Sequence, residues 1–252
     1  MTSKSINRGW QGKQVTGFSQ SRRDKKPKTP NISYQDLFAF YDFGDGKSYS
    51  GSGTNVSDLS GNGYTATLVN TPTYSPVYGG VETFNANNTR GVATVPSAST
   101  TALTFICFIK RNGTPGNYGQ FIIGRRNPIA GANDSGLGYR NFYGTIAYTW
   151  SSTGQNYDFD SGLTPPLNQW CMVAAAIDLT GGTIYLNNLS INNTQTNSAI
   201  TWGQTLTIGS DDALLIGRGS NCDMGIAMVY TRKLSQSEIM QIFEAFRPRY
   251  GI

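Results

Sequence analysis

From Leu37 onward, short apolar runs recur between clusters of Gly, Asn and Pro, beginning with Leu37-Phe38-Ala39-Phe40-Tyr41-Asp42-Phe43. Runs of roughly four to eight such residues, rich in β-branched and aromatic side chains and closed by turn formers, predict strands. The clearest are residues 104–110, 120–124, 144–150, 170–177, 183–186, 214–217 and 225–230. Between two of them, Asp178-Leu179-Thr180-Gly181-Gly182 offers glycines for positive φ, so the flanking strands are expected to pair as a hairpin. The period changes once. Ser235-Gln236-Ser237-Glu238 has the S-x-x-E form of a capping box, and Ile239, Ile242, Phe243 and Phe246 follow at i, i+3, i+4 and i+7. This predicts one amphipathic helix, closed by Pro248, whose apolar stripe seals a sheet edge or an open end of the core.

Residues 1–32 carry neither period. Their large apolar residues, Ile6, Trp10, Val15, Phe18 and Ile32, are too widely spaced for a core, so an extended arm is expected. Its charge is lopsided: Lys4, Arg8, Lys13, Arg22, Arg23, Lys25, Lys26 and Lys28 face only Asp24. That is +7, which leaves −2 for the rest of a chain whose total is +5. Like charges and two prolines in Arg22-Arg23-Asp24-Lys25-Lys26-Pro27-Lys28-Thr29-Pro30 stiffen the segment before the domain begins at residue 33.

Composition agrees with many turns and short strands: 30 Gly, 12% aromatic and only 14% charged residues in 252. That length suits a single large β domain, residues 33–252, plus the arm. No apolar run is long enough to span a bilayer, and the first residues lack the apolar core of a signal peptide, so synthesis in a cytoplasm and no membrane partner are expected. Cys107, Cys171 and Cys222 are odd in number and far apart, which predicts reduced apolar filler rather than a disulfide framework or zinc site.

Four segments, in order, resemble the laminin-G-like, concanavalin A-like jelly-roll family in the form found in virion proteins of tailed bacteriophages. They are Ser48-Tyr49-Ser50-Gly51-Ser52-Gly53-Thr54 with Asp58-Leu59-Ser60-Gly61-Asn62-Gly63; Gln169-Trp170-Cys171-Met172-Val173-Ala174-Ala175; Gly182-Thr183-Ile184-Tyr185-Leu186-Asn187; and Ile216-Gly217-Arg218 with residues 225–239. The resemblance spans about residues 37–252. It departs where Asn187-Asn188 replaces the family's usual Asn-Gly, and where a strand that often carries His has none. It implies an all-β, two-sheet antiparallel jelly-roll sandwich with one short C-terminal helix and an extended N-terminal arm. The role it implies is binding or structural, without fixing a ligand, because the fold hosts many functions.

The chain has no His, which removes Ser-His-Asp and Cys-His triads and the commonest general base. Paired acids on one strand remain, as Asp158 and Asp160 or as Asp211 and Asp212. Asp158 and Asp160 sit in polar, loop-like sequence, and the chain is expected not to be an enzyme, with no catalytic residue and no resident cofactor. Calcium is the one candidate ion, with Asp42, Asp45 and Asp58, or Asp211, Asp212 and Asp223, as oxygen donors against a turn-forming role for the same residues. Tyr139, Phe142, Tyr143, Trp150, Tyr157 and Trp202 lie beside many Asn residues. Of these, Tyr143, Trp150, Tyr157 and Trp202 are the candidate glycan contacts, against a role in the core.

In the arm, Arg8, Trp10, Lys13, Phe18, Arg22, Arg23, Lys25, Lys26 and Lys28 are expected to fold onto an acidic protein surface. Nucleic acid is not the expected partner, because the body is not basic. The expected function is a phage virion structural protein, a capsid decoration or head-fibre protein, in a homo-oligomeric assembly with virion proteins such as the major capsid protein. The alternatives are a tail or baseplate component, or a lectin module for host surface glycans.

Overall fold

A computed structural model describes residues 31–85, 87–115, 120–126, 134–140, 144–152, 158–201, 203–210 and 219–252. The strands are, in chain order, β1 (Leu37–Asp42), β2 (Asn55–Val56), β3 (Ala66–Val69), β4 (Thr73–Ser75), β5 (Val81–Phe84), β6 (Arg90–Thr94), β7 (Ser99–Thr100), β8 (Ala102–Arg111) and β9 (Gln120–Arg126). There follow β10 (Asp134–Arg140), β11 (Thr145–Ser152), β12 (Phe159–Asp160), β13 (Trp170–Asp178), β14 (Gly181–Leu186), β15 (Leu189–Asn193), β16 (Ile200–Thr201), β17 (Thr205–Ile208) and β18 (Cys222–Tyr230).

Sixteen of them form two eight-stranded antiparallel sheets, and β7 and β16 pair as a separate two-stranded one. The first runs β15-β14-β13-β8-β18-β5-β4, with β1 also on β18, and the second runs β12-β11-β10-β9-β17-β6-β3-β2. The predicted hairpin is present, since β13 pairs with β14 from Val173–Leu186 to Asp178–Gly181. The prediction at 214–217 falls outside the described residues.

Strand alternation sorts the first sheet into two apolar faces. Leu103, Phe105, Cys107 and Ile109 of β8, with Cys171, Val173, Ala175 and Ile177 of β13, point into the core against Leu137, Tyr139, Ile146, Tyr148 and Trp150 of the second sheet. The opposite phase, Ile106, Phe108, Met172, Ala174, Ile226, Met228 and Tyr230, makes a second apolar layer. Strands buried on both faces read as continuous apolar runs, as these do.

The second layer is covered by α1 (Gln236–Tyr250) through Ile239, Ile242, Phe243, Phe246 and Tyr250. The helix therefore lies across a sheet face; the expected seal of an edge or an open end is corrected. Its N-terminus is as predicted, with Ser235 capping and Glu238 completing the box. Its C-terminus is not. Pro248 is inside the helix, which ends at Gly251 in the left-handed region, with the Gly251 N–H donating to Arg247 O. Tyr250 accounts for the extra turn: its ring is 3% exposed, stacked on Phe108 at 5.3 Å and packed on Trp170 at 4.5 Å. Burying an aromatic ring outweighs one lost backbone bond near a helix end. No helix among the described residues is long and apolar enough to cross a membrane.

Ile32 is buried beneath the helix, and Gln241 Nε2 donates to Asn31 O at 2.8 Å. The cysteines are free and inward, and burial pushes the Cys171 and Cys222 thiols up to about 12, consistent with apolar filler.

Candidate functional site

The inward row of β8 ends on a charge. Arg111 follows Phe105, Cys107 and Ile109 in phase and pairs across the sheet with Cys222, so its side chain continues the core row at the end of the sandwich. There it meets the second sheet. Gly144 precedes β11 with φ +70, and a Cβ at that position would run into Arg111 Nη1, so the glycine permits both the turn and the close approach. Beneath lies Tyr139, fully buried; burial pushes its hydroxyl well up, with neighbouring thiols adding and the Arg111 charge opposing. The hydroxyl therefore stays protonated and able to donate.

Neither donor is used. Arg111 Nε and Tyr139 Oη are both buried without a hydrogen-bond partner. No ion pair among the described residues includes Arg111. Its neighbours are paired among themselves. Asp223 receives Lys110 Nζ at 2.6 Å, Asn112 Nδ2 at 2.6 Å and Thr83 Oγ1 at 2.9 Å. Arg140 pairs with Asp160 at 3.0 Å. Glu82 points inward one row away, opposite Met224, fully buried and with both oxygens unpartnered. Burial alone raises its carboxyl to about 7, so Arg111 is not its counter-ion. The end of the sandwich thus holds a cation that no acid among the described residues neutralises, which suits an anionic or oxygen-rich ligand.

The candidates named from sequence fare unevenly. Trp150 is fully buried in the core with Nε1 donating to Ser198 O at 2.6 Å, so it is corrected from glycan contact to core. Tyr139 is likewise inward rather than exposed. Tyr143, Tyr157, Trp202, Phe142, Asp211 and Asp212 lie outside the described residues, as do the arm's Arg8, Trp10, Lys13, Phe18, Arg22, Arg23, Lys25, Lys26 and Lys28.

Among the described calcium candidates, Asp42, Asp45 and Asp58 do not form a site. Asp42 binds Arg249 Nη1 and the Gly44 N–H, Asp45 takes the Lys47 N–H, and Asp58 takes the Phe40, Ser60 and Tyr64 N–H groups with the Ser60 hydroxyl. Each organises its own turn, and no metal-binding cluster of His, Cys, Asp or Glu occurs among the described residues. Asp158 Oδ2 accepts the Trp150 N–H at 2.6 Å, while Asp160, besides Arg140, accepts the Gly162 N–H.

Arg111 was not singled out in the sequence, because the predicted strand ended at Lys110. The signal was present: residue 111 keeps the odd-numbered phase of Phe105, Cys107 and Ile109.

The sequence matches the family model of the concanavalin A-like lectin/glucanases superfamily over residues 84–240, and the chain belongs to that family. No curated protein matches the sequence. Among solved structures, Trypanosoma rangeli sialidase in complex with 2,3-difluorosialic acid is similar at a TM-score of 0.63 and 16% identity, over 86% of this chain and 33% of that one. The botulinum neurotoxin serotype D binding domain is similar at a TM-score of 0.60 and 13% identity, over 84% and 52%. The ligand-binding domain of that serotype in complex with N-acetylneuraminic acid gives 0.60 and 16%, over 84% and 51%. The chain spans about a third of the length of the sialidase chains. The expectation that this chain is not an enzyme is corrected by these matches. Its fold recurs within sialidase chains, and a missing imidazole excludes only chemistry that needs one.

Proposed function

We propose that the sandwich is a glycan-binding domain that works at the end occupied by Arg111. The observation that carries this reading is half-buried Arg111, which no acid among the described residues pairs, near a buried phenol without a hydrogen-bond partner. Carbohydrates offer hydroxyl and carboxyl oxygens at the spacing such donors need. The neurotoxin domain of the same fold, solved with N-acetylneuraminic acid, supports the choice of ligand class. Purified protein applied to a glycan array is expected to bind a defined subset of oligosaccharides. Uniform failure to bind would contradict the reading.

A second reading concerns where the domain is displayed. We infer that residues 1–32 fasten it to a phage particle as a capsid decoration or head-fibre protein, or as a tail or baseplate component, in a homo-oligomeric assembly. The support is the partition of charge, +7 in that segment against −2 in the rest, which suits an acidic surface on a protein such as the major capsid protein. Removing residues 1–30, which leaves Asn31 and Ile32 in their packed positions, is expected to abolish incorporation into particles while the sandwich stays folded. Normal incorporation would contradict it.

A further inference from the structure

We infer that Arg111 reads a carboxylate, so that the glycans bound are acidic ones, carrying sialic or uronic acid residues. This rests on the glycan-binding reading and narrows it. Three features of the molecule argue for an anion rather than for neutral hydroxyls alone.

The first is charge balance. A guanidinium at the rim of an apolar core, with Nε sealed from water, is costly unless an anion meets it, and none among the described residues does. Asp223, on the adjoining strand β18, is turned to the opposite face and held by Lys110, and Asp160, in the other sheet, is held by Arg140. Glu82, facing the same core, is raised to about 7 by burial with no cation opposing the shift. No acid among the described residues meets Arg111, which leaves its guanidinium for a group from outside.

The second is geometry. The guanidinium presents its donors as a planar fork, the shape that a carboxylate meets with two parallel bonds. Gly144 brings the backbone so near Nη1 that no side chain intervenes, and its left-handed φ fixes that approach. The fork is thus held from the side in a residue that is half-buried as a whole.

The third is the buried Tyr139 hydroxyl, an unused donor beneath the same guanidinium. Kept neutral by burial, it adds no negative charge that would compete with an incoming anion.

The experiment compares the full chain with Arg111→Gln and Arg111→Lys against sialylated oligosaccharides, the same oligosaccharides after enzymatic desialylation, glucuronate-terminated ones and an acidic peptide, with thermal unfolding measured alongside. Wild type is expected to prefer the acidic glycans to their neutral counterparts by at least about tenfold. Arg111→Gln should remove that preference, a loss of roughly ten- to hundredfold, while thermal stability is unchanged or raised. Arg111→Lys should recover part of it, since the charge returns without the fork. Equal binding of neutral and acidic glycans, or a preference untouched by Arg111→Gln, overturns the carboxylate inference and leaves glycan binding standing. Binding to no glycan overturns both, and binding of the acidic peptide alone replaces the glycan with a protein partner. A clear fall in stability in Arg111→Gln without loss of preference assigns Arg111 to the fold and overturns the inference.

Discussion

Arg249 Nη1 binds Asp42 Oδ1 at 2.5 Å, joining the last helical turn to the end of β1 across 207 residues of sequence. The same guanidinium donates through Nη2 to Gly80 O at 2.8 Å and through Nε to Tyr78 O. One side chain therefore closes the helix, β1 and the approach to β5 onto each other. Because both partners are largely buried, removing one leaves the other charged and unpaired. Arg249→Met is expected to lower unfolding free energy by about 2–4 kcal/mol, read from urea denaturation. A change below about 0.5 kcal/mol would place the pair among weak surface bridges.

Glu82 gives the fold a pH dependence of definite sign. Its carboxyl, raised by burial to about 7 from 4.5, stays protonated in the folded state up to about pH 7, while an unfolded chain ionises from about pH 4.5. Stability is therefore expected to fall between pH 4.5 and 7 and to stay reduced above pH 7. Glu82→Gln removes the penalty. Its gain should be near zero at pH 4 and reach up to about 3 kcal/mol at pH 8, measured as paired denaturation curves. A constant difference across that range would show that Glu82 ionises normally.

Glu238 has the opposite sign. Hydrogen bonds from Arg232, at 2.6 and 2.9 Å, and from the Ser235 N–H hold its carboxyl down at about 2. Its contribution is present above pH 4.5 and is lost as pH falls through about 2. Glu238→Gln keeps the shape of the box but not the charge, so it should destabilise by about 1 kcal/mol at pH 7 and by nothing at pH 1.5. Helical circular dichroism against pH checks this.

The helix end makes a third contrast. Tyr250 is buried with its hydroxyl unpartnered, and a Cβ on Gly225 would strike that hydroxyl. Tyr250→Phe should be neutral or stabilising by up to about 1 kcal/mol, because an unsatisfied group is removed and the ring remains. Tyr250→Ala should cost about 3–5 kcal/mol, and Gly225→Ala should also destabilise. Calorimetry on the three variants orders them. A destabilising Tyr250→Phe would mean that the hydroxyl has a partner.

The elements themselves were legible because they are local. Alternation and turn residues marked the strands, Gly181-Gly182 the hairpin, and Ser235 with Glu238 the start of the helix. What faces what was not. Residues 104–110 and 170–177 are apolar on both faces, so alternation could not say which side held the helix, nor that Trp150 and Tyr139 point inward. A register shift between Met224 and Ile226 compounds this, putting Cys222 and Met224 in phase with Ala227 and Val229 on the core face. Pro248 failed as a stop because the burial of Tyr250, a tertiary effect, outweighs a local rule. The pairing of Asp42 with Arg249 depends on contacts more than 200 residues apart in sequence, and no spacing announces it.

The most direct test of the central claim is to map where a sugar binds. Titrating isotopically labelled protein with N-acetylneuraminic acid, followed by backbone amide shifts, is expected to perturb Arg111, Asn112, Gly144 and Thr145 while the helix Gln236–Tyr250 stays still. Shifts confined to other parts of the sandwich, or none at millimolar sugar, would contradict the placement of the site at Arg111.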